Sequence, residues 1–219
     1  MTIRVLLIDP GSSRRENNEP IGIAALASAL EGTLGQRVDV QQLFVPFDGP
    51  VEQGMLEGCD LVGLSTHLGS LDATRQLAAR CACLPAACRP VLVLGGLLAT
   101  FAPEALLAWL SPAARAICVR GEGEEALVGL VRLLMDVGRE GLAQAALATG
   151  VPNLVLNLGG AVQHSPRRNI QLEGAAAPRR QHVAELVARG GIVRAEASRG
   201  CSYGRCSFCA IQEKYCGQA

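Results

Sequence analysis

Five short apolar runs, each closed by a turn, decide what this chain can become. They are IRVLLID (Ile3–Asp9), RVDVQQLFV (37–45), DLVGLS (60–65), VLVL (91–94) and RAICVR (115–120). Each is short for a helix and rich in leucine and β-branched residues, as strands buried on both faces are. Helical patterns alternate with them. Residues 20–30 open on a proline at the first turn, Leu71–Cys83 is amphipathic, residues 103–110 start at Pro103-Glu104, and residues 124–137 close the series. Alternation at this spacing predicts an α/β fold, a doubly wound parallel sheet with helices on both faces. Right-handed crossovers place every strand-to-helix loop at the carboxyl edge, where a ligand binds.

Composition removes several classes of function. The 219 residues suffice for one full domain and an appendage. With 49% hydrophobic and 18% charged residues, wholesale disorder is excluded. Lys+Arg 20 balances Asp+Glu 20 and the pI is near 6.8, so nucleic acid is not an expected partner. Lys214 is the single lysine, and the arginine excess in so alanine-rich a chain reads as codon bias, not as a phosphate-binding surface. Residues 2–8 carry Arg4 and stop at Asp9-Pro10, unlike a signal peptide. The longest uncharged stretch, 141–166, is broken by Gln144, Pro152, Asn153, Asn157, Gln163 and His164, so no membrane is expected as a partner either. The expected compartment is the cytoplasm, with the nine cysteines as thiols or metal ligands in place of disulfides.

Along the predicted carboxyl edge, Ser65-Thr66-His67, Gly95-Gly96 and Gly121-Glu122-Gly123 fall side by side. Glycines without a Cβ let a bulky ligand approach the backbone. The same residues are also ordinary turn chemistry in any sheet of this type, and the pattern alone leaves both readings open. No G-x-G-x-x-G follows the first run, so a dinucleotide is not supported. His67 reads as a loop histidine bonded to backbone or solvent. Glu122, Glu124 and Glu125 read as acids favouring a helix N-terminus.

The run VLVLGGLLATFAPEALLAWLSPAARAICVRGEGEEALVGLVRLL (91–134) resembles the cobalamin-binding domain found in front of radical S-adenosylmethionine (SAM) enzymes. That family has a Gly-Gly after its fourth strand, a Pro-Glu helix start and an R-G-E-G-E turn before an amphipathic helix. Here these are Gly95-Gly96, Pro103-Glu104 and residues 120–124. The resemblance implies a Rossmann-like sheet of the cobalamin-binding type. The corrin would lie over its carboxyl edge, with Ser65, Thr66, Gly95, Gly96, Gly121, Glu122 and Gly123 as candidate contacts. The better-known cobalamin domains give cobalt a histidine from a D-x-H-x-x-G loop after the first strand. This loop, DPGSSRRENNEP, has none, so that lower ligand is not expected.

Residues 153–165 (NLVLNLGGAVQHS) read as a hairpin turning at Gly159-Gly160, and 166–180, rich in Pro, Ala and Arg, as a linker. Residues 181–189 suit a short helix and 192–197 a strand that delivers Ser198-Arg199-Gly200-Cys201. Cys201, Cys206, Cys209 and Cys216 all fall in the last 19 residues. The first three are spaced C-x4-C-x2-C. Three thiolates on one loop can hold three irons of a four-iron cubane and leave the fourth open. With Cys216 as fourth thiolate, the same residues could make a structural zinc site. Cys59 and Cys118 read as small buried hydrophobes.

The loop ASRGCSYGRCSFCAI (197–211) resembles the radical SAM signature, C-x3-C-x-aromatic-C preceded by S-R-G, with one residue more between Cys201 and Cys206. The resemblance implies Cys201, Cys206 and Cys209 as ligands of a [4Fe-4S] cluster whose open iron binds SAM, and Phe208 beside the adenine. An electron from the cluster then releases a deoxyadenosyl radical from SAM.

Together the resemblances imply the N-terminal portion of a cobalamin-dependent radical SAM enzyme. Residues 1–150 form the cobalamin-binding domain, 151–190 the hairpin and linker, and 191–219 the first strand and cluster loop of an incomplete barrel. Its cofactors would be cobalamin, the cluster and SAM, its partners these small molecules and an external electron donor, and the whole family's chemistry methyl transfer or related radical reactions. A full barrel needs about five more strand–helix units at ~30 residues each. Ten residues follow Cys209, so the chain is expected to stop just after its cluster loop and to be catalytically incomplete. The alternatives are a non-catalytic cobalamin-binding module and a zinc-stabilised four-cysteine module.

Overall fold

The computed structural model of the chain describes residues 2–11, 18–110, 115–170, 172–173 and 175–215. Strands β1 (Ile3–Asp9), β2 (Val38–Phe44), β3 (Leu61–Ser65), β4 (Val91–Gly95) and β5 (Ala116–Val119) are parallel. Strands β6 (Leu154–Leu158) and β7 (Ala161–His164) complete a seven-stranded sheet of order β2-β1-β3-β4-β5-β6-β7. The register sets Val5 between Val40 and Leu61, and Leu94 between Leu64 and Cys118. The helices are α1 (Ile21–Leu34), α2 (Val45–Asp48), α3 (Gln53–Glu57), α4 (Leu71–Cys83), α5 (Leu97–Phe101), α6 (Pro103–Trp109), α7 (Glu124–Ala148), α8 (Val183–Ala188) and α9 (Ile211–Lys214). No helix among the described residues is long and apolar enough to cross a membrane.

Because side chains alternate across a strand, each central strand feeds two cores. Ile3, Val5, Leu7 and Val93 pack with Leu30 of α1 and Leu130 of α7 on one face. Leu6, Ile8, Val62 and Leu94 pack with Leu77 of α4 and Leu106 of α6 on the other. Burying such a side chain contributes about 1.5–3 kcal/mol each. The sheet is therefore covered on both sides, and its carboxyl edge is free for loops.

Three of the differences from what the sequence predicts bear on the site and its surroundings. The closing helix does not end at Val137: Gly138, at φ 68°, kinks it and the helix runs on to Ala148. The kink lets Arg139 reach back to the Asp60 carboxylate (2.7 Å) and the Ala87 carbonyl (2.7 Å) at the opposite end of the sheet. The hairpin turns at Gly159-Gly160 as predicted but also joins the sheet, β6 pairing antiparallel with β5. The predicted strand 192–197 does not form. Ile192 alone makes a parallel bridge, to Asn18, and residues 192–198 are exposed. A strand needs a neighbour for its ladder groups. Here those groups are satisfied piecemeal: Ile192 O accepts from Glu19 N (3.3 Å), and Arg194 N donates to Glu19 Oε2 (3.0 Å).

Candidate cofactor-binding cleft

The order of strands turns at β1, which has β2 on one side and β3 on the other, and ligands of such sheets bind beyond the strand ends at this point. A cleft of about 450 Å³ lies there. Ser65, Thr66, Gly95, Gly96, Gly121, Glu122 and Gly123, scattered over three loops, all line it. Its apolar wall includes Ile21, Leu26, Leu97 and Leu127. A fourth side comes from much later in the chain, where Arg194, Glu196, Arg199, Lys214 and Tyr215 meet the cleft.

The lining residues do different work. Gly95 faces open space: a Cβ there would meet no atom within 4 Å. Gly96 does not, since at φ 90° its Cβ would lie 2.7 Å from the Thr66 carbonyl oxygen. Thr66 is fully buried and acts as a strut, its Oγ1 (2.6 Å) and N (2.7 Å) both donating to the Gly95 carbonyl. Gly121, at φ 68°, makes room for the Lys214 carbonyl, 2.7 Å from where its Cβ would be, and Gly123 makes room for Leu26 of α1. Most of these glycines thus serve close packing of the loops, and Gly95 leaves the backbone bare to a ligand. Thr100, which sequence reasoning missed, ties two of the loops together: it accepts from Gly121 N (2.9 Å) and donates to Gly96 O (2.8 Å). His67 lines the cleft, and its backbone N–H donates to Ser70 Oγ (3.0 Å).

Glu122 is buried at the cleft with both oxygens occupied. Oε2 accepts from Ile170 N (2.7 Å) and Oε1 from Arg199 Nη1 (2.7 Å). Arg199 is also held by Glu124 (2.8 Å) and Glu196 (2.9 Å), with its side chain only 14% exposed. Burial works against this charge, but the hydrogen bonds it donates to Glu196, Glu124 and Glu122 outweigh it and raise the guanidinium above its ordinary pKa. The acids of the G-E-G-E-E turn are therefore more than helix-dipole partners. Asn153, in the left-handed region at φ 66°, braces the same corner, donating to the carbonyls of Glu122 (2.9 Å) and Arg168 (2.7 Å). Neither Asn153 nor Arg199 carries a local signal for its contact with the turn, because Glu122 and Glu124 are remote from them in sequence.

The cysteine loop lies beside this corner, outside the cleft. Cys201 is half-buried, Cys206 and Cys209 are exposed, and none of them lines the cleft. Phe208 is 90% exposed. Among the described residues no three His, Cys, Asp or Glu side chains are gathered as a metal site. Cys216 lies outside the described residues. Backbone N–H groups of Gly204 and Tyr203 point at the Cys201 sulfur and lower its pKa. Gln212 of α9 donates to the Cys201 carbonyl (3.0 Å) and closes the loop from the other side.

The family model described as "B12 binding domain" matches residues 11–131, more than half of the chain. The chain belongs to the B12-binding domain family. The fold of this B12-binding domain is similar to that of TsrM, a radical SAM methyltransferase from Kitasatospora setae solved with cobalamin and a [4Fe-4S] cluster bound. The TM-score is 0.69 at 20% identity, over 97% of this chain and 42% of that one. A TsrM structure with tryptophan substrate and a SAM analogue gives 0.67 at 21% identity, over 97% and 41%. OxsB, a cobalamin-dependent SAM radical enzyme, gives 0.69 at 18% identity, over 95% of this chain and 28% of that one. The present chain thus spans less than half the length of those enzymes. No match to the sequence is found among curated proteins.

The residues of this B12-binding domain fit a corrin. The cleft has a largely apolar wall with polar groups among its lining and is open over the bare Gly95 backbone, chemistry that suits an amphipathic ring. For an iron–sulfur cluster the donor set fits in chemistry, three soft sulfurs on one loop. In this structure the three stand apart, and holding a cluster requires the loop to close around it.

Proposed function

We propose that the chain binds cobalamin in the carboxyl-edge cleft and a [4Fe-4S] cluster on Cys201, Cys206 and Cys209, as part of a cobalamin-dependent radical SAM methyltransferase or a relative of one. The observation that carries the reading is the meeting, in a B12-binding domain, of the carboxyl-edge cleft with the segment leading to the cysteines at one corner, through Glu122 and Arg199. Bound cobalamin would supply a carrier for a methyl group, and the cluster an electron to SAM drawn from an external donor. The chain's own residues then divide the work. Ser65, Gly95, Gly96, Gly121 and Gly123 form the bed of the corrin, Thr66 and Thr100 hold that bed in shape, and Phe208 packs near the adenine of SAM. Residues 1–150 are the cobalamin domain, 151–190 a bridge and 191–219 the start of the catalytic part, all in the cytoplasm.

Anaerobic reconstitution with iron and sulfide, with and without hydroxocobalamin, tests this by optical and paramagnetic spectra. The expected result is one equivalent of retained corrin and a four-iron signal lost on substituting Cys201, Cys206 or Cys209. Tightly bound zinc with no retained cobalamin would overturn it. A second reading, a cobalamin holder without turnover, is favoured by the exposure of Phe208, Cys206 and Cys209, which leaves a SAM site uncovered. It predicts that these residues by themselves form no deoxyadenosine from SAM under reduction.

A further inference from the structure

Segment 192–199 has almost no ladder bonding of its own, yet it forms one side of the cleft and runs directly into Cys201. It is held at two points. At its start, Glu19, itself buried, receives Arg194 N (3.0 Å) and the Arg180 guanidinium (3.0 Å). At its end, Arg199 is inserted among Glu122, Glu124 and Glu196 at 2.7–2.9 Å. Glu122 and Glu124 belong to the turn between β5 and α7, whereas Glu196 belongs to the segment itself. Arg199 thus bridges the two sides of the cleft and stands two residues before the first cysteine. The guanidinium suits this place because its planar fork presents several donors in fixed directions at once, which an ammonium cannot.

We infer that Arg199 is a positioning residue: clamped by Glu122 and Glu124, it fixes the segment as a wall of the cleft and so couples occupancy of the cleft to the placement of Cys201. A ligand in the cleft touches both the turn and the segment, and stabilises the clamped arrangement in which both are present. By linkage, the clamp strengthens the ligand's binding by the same factor. The identity of that ligand rests on the cobalamin reading above; the clamp does not.

Hydrogen exchange read by mass spectrometry on the full chain, for wild type, R199K and R199Q, with and without hydroxocobalamin, tests both parts. Without ligand, the hydrogen-bonded amides within 192–209, Arg194 N on Glu19 and those of Tyr203, Gly204 and Cys209, are expected to exchange about tenfold or more faster in R199Q, with β1 and β3 unchanged and R199K in between. Hydroxocobalamin is expected to slow 192–209 further in wild type but not in R199Q, and to bind R199Q about tenfold more weakly. Equal exchange of 192–209 in ligand-free wild type and R199Q overturns the clamp. A loss of protection spread over β1 and β3 overturns it in favour of a general role in stability. Equal hydroxocobalamin affinity in the two proteins overturns the coupling and spares the cobalamin reading. Failure of wild type to bind hydroxocobalamin defeats that reading and the coupling together, while exchange without ligand still decides the clamp.

Discussion

The adjacent glycines Gly95 and Gly96 allow the cleft and the fold to be perturbed separately. A methyl group on Gly96 meets two penalties. Its backbone, at φ 90° and ψ −164°, lies in a region that only glycine occupies freely, at a cost of about 1–3 kcal/mol for other residues. Its Cβ would also sit 2.7 Å from Thr66 O and 3.0 Å from Thr66 N, backbone atoms that cannot swing aside. Overpacking of this kind costs roughly 1–3 kcal/mol more. Gly96→Ala is therefore expected to lower the unfolding free energy by about 2–6 kcal/mol, moving the urea midpoint down by about 1 M or more. Gly95→Ala meets neither penalty, because no atom lies within 4 Å of its Cβ and its φ is not in the left-handed region. Its methyl projects over the floor of the cleft. Its urea midpoint should match wild type while its affinity for hydroxocobalamin falls about tenfold or more, the loss a misplaced ligand contact commonly brings. Urea unfolding followed by circular dichroism and titration followed by corrin absorbance give the two numbers. A destabilised Gly95→Ala beside a neutral Gly96→Ala would refute the assignment of the two glycines.

Thr100→Val keeps the shape of a buried side chain but strands Gly121 N, and is expected to cost about 1–3 kcal/mol in the same urea experiment. Burial pushes the thiols of Cys59 and Cys81 up to about 11 and that of Cys118 up to about 12, so iodoacetamide at pH 8 should label Cys83, Cys88, Cys201, Cys206 and Cys209 and spare those three. Because Cys118 has a higher pKa folded than unfolded, its contribution is complete below pH 9 and is lost as pH rises toward 12. The slope is at most about 1.4 kcal/mol per pH unit, and Cys118→Ala should flatten it.

The sheet is legible in the sequence because its signals are local. Ile3–Asp9 is bounded by Pro10, and Leu71–Cys83 carries its own helical period, so both elements stand where the sequence places them. The site loops are legible for a topological reason: once the strands are parallel, Ser65, Gly95 and Gly121 must share an edge. What is not legible depends on partners far away. Gly138 reads as a helix end, and only the reach of Arg139 to Asp60 and Ala87 shows why the helix resumes. Residues 192–197 have strand-like composition, but composition does not supply a neighbouring strand. Glu122 reads as a helix-capping acid until its partner, 77 residues on, is in place.

Glu122 offers the sharpest separation between a ligand contact and a structural one. If it served the corrin directly, an isosteric amide would leave the ligand-free protein alone and weaken only cobalamin binding. The geometry says otherwise, since both oxygens act as acceptors, one for Arg199 Nη1 and one for Ile170 N. Glutamine can accept through only one atom, so Glu122→Gln must set an amide N–H against either the guanidinium or the Ile170 N–H. Leaving one such buried group unsatisfied costs about 1–3 kcal/mol. Replacing the whole clamp by apolar residues need not, because desolvation already offsets much of what a buried ion pair contributes. Glu122→Gln is thus expected to unfold at lower urea and to be cut faster by protease within 192–199, both without ligand. Wild-type behaviour in the absence of cobalamin, with affinity alone reduced, would return Glu122 to the corrin and remove it from the clamp.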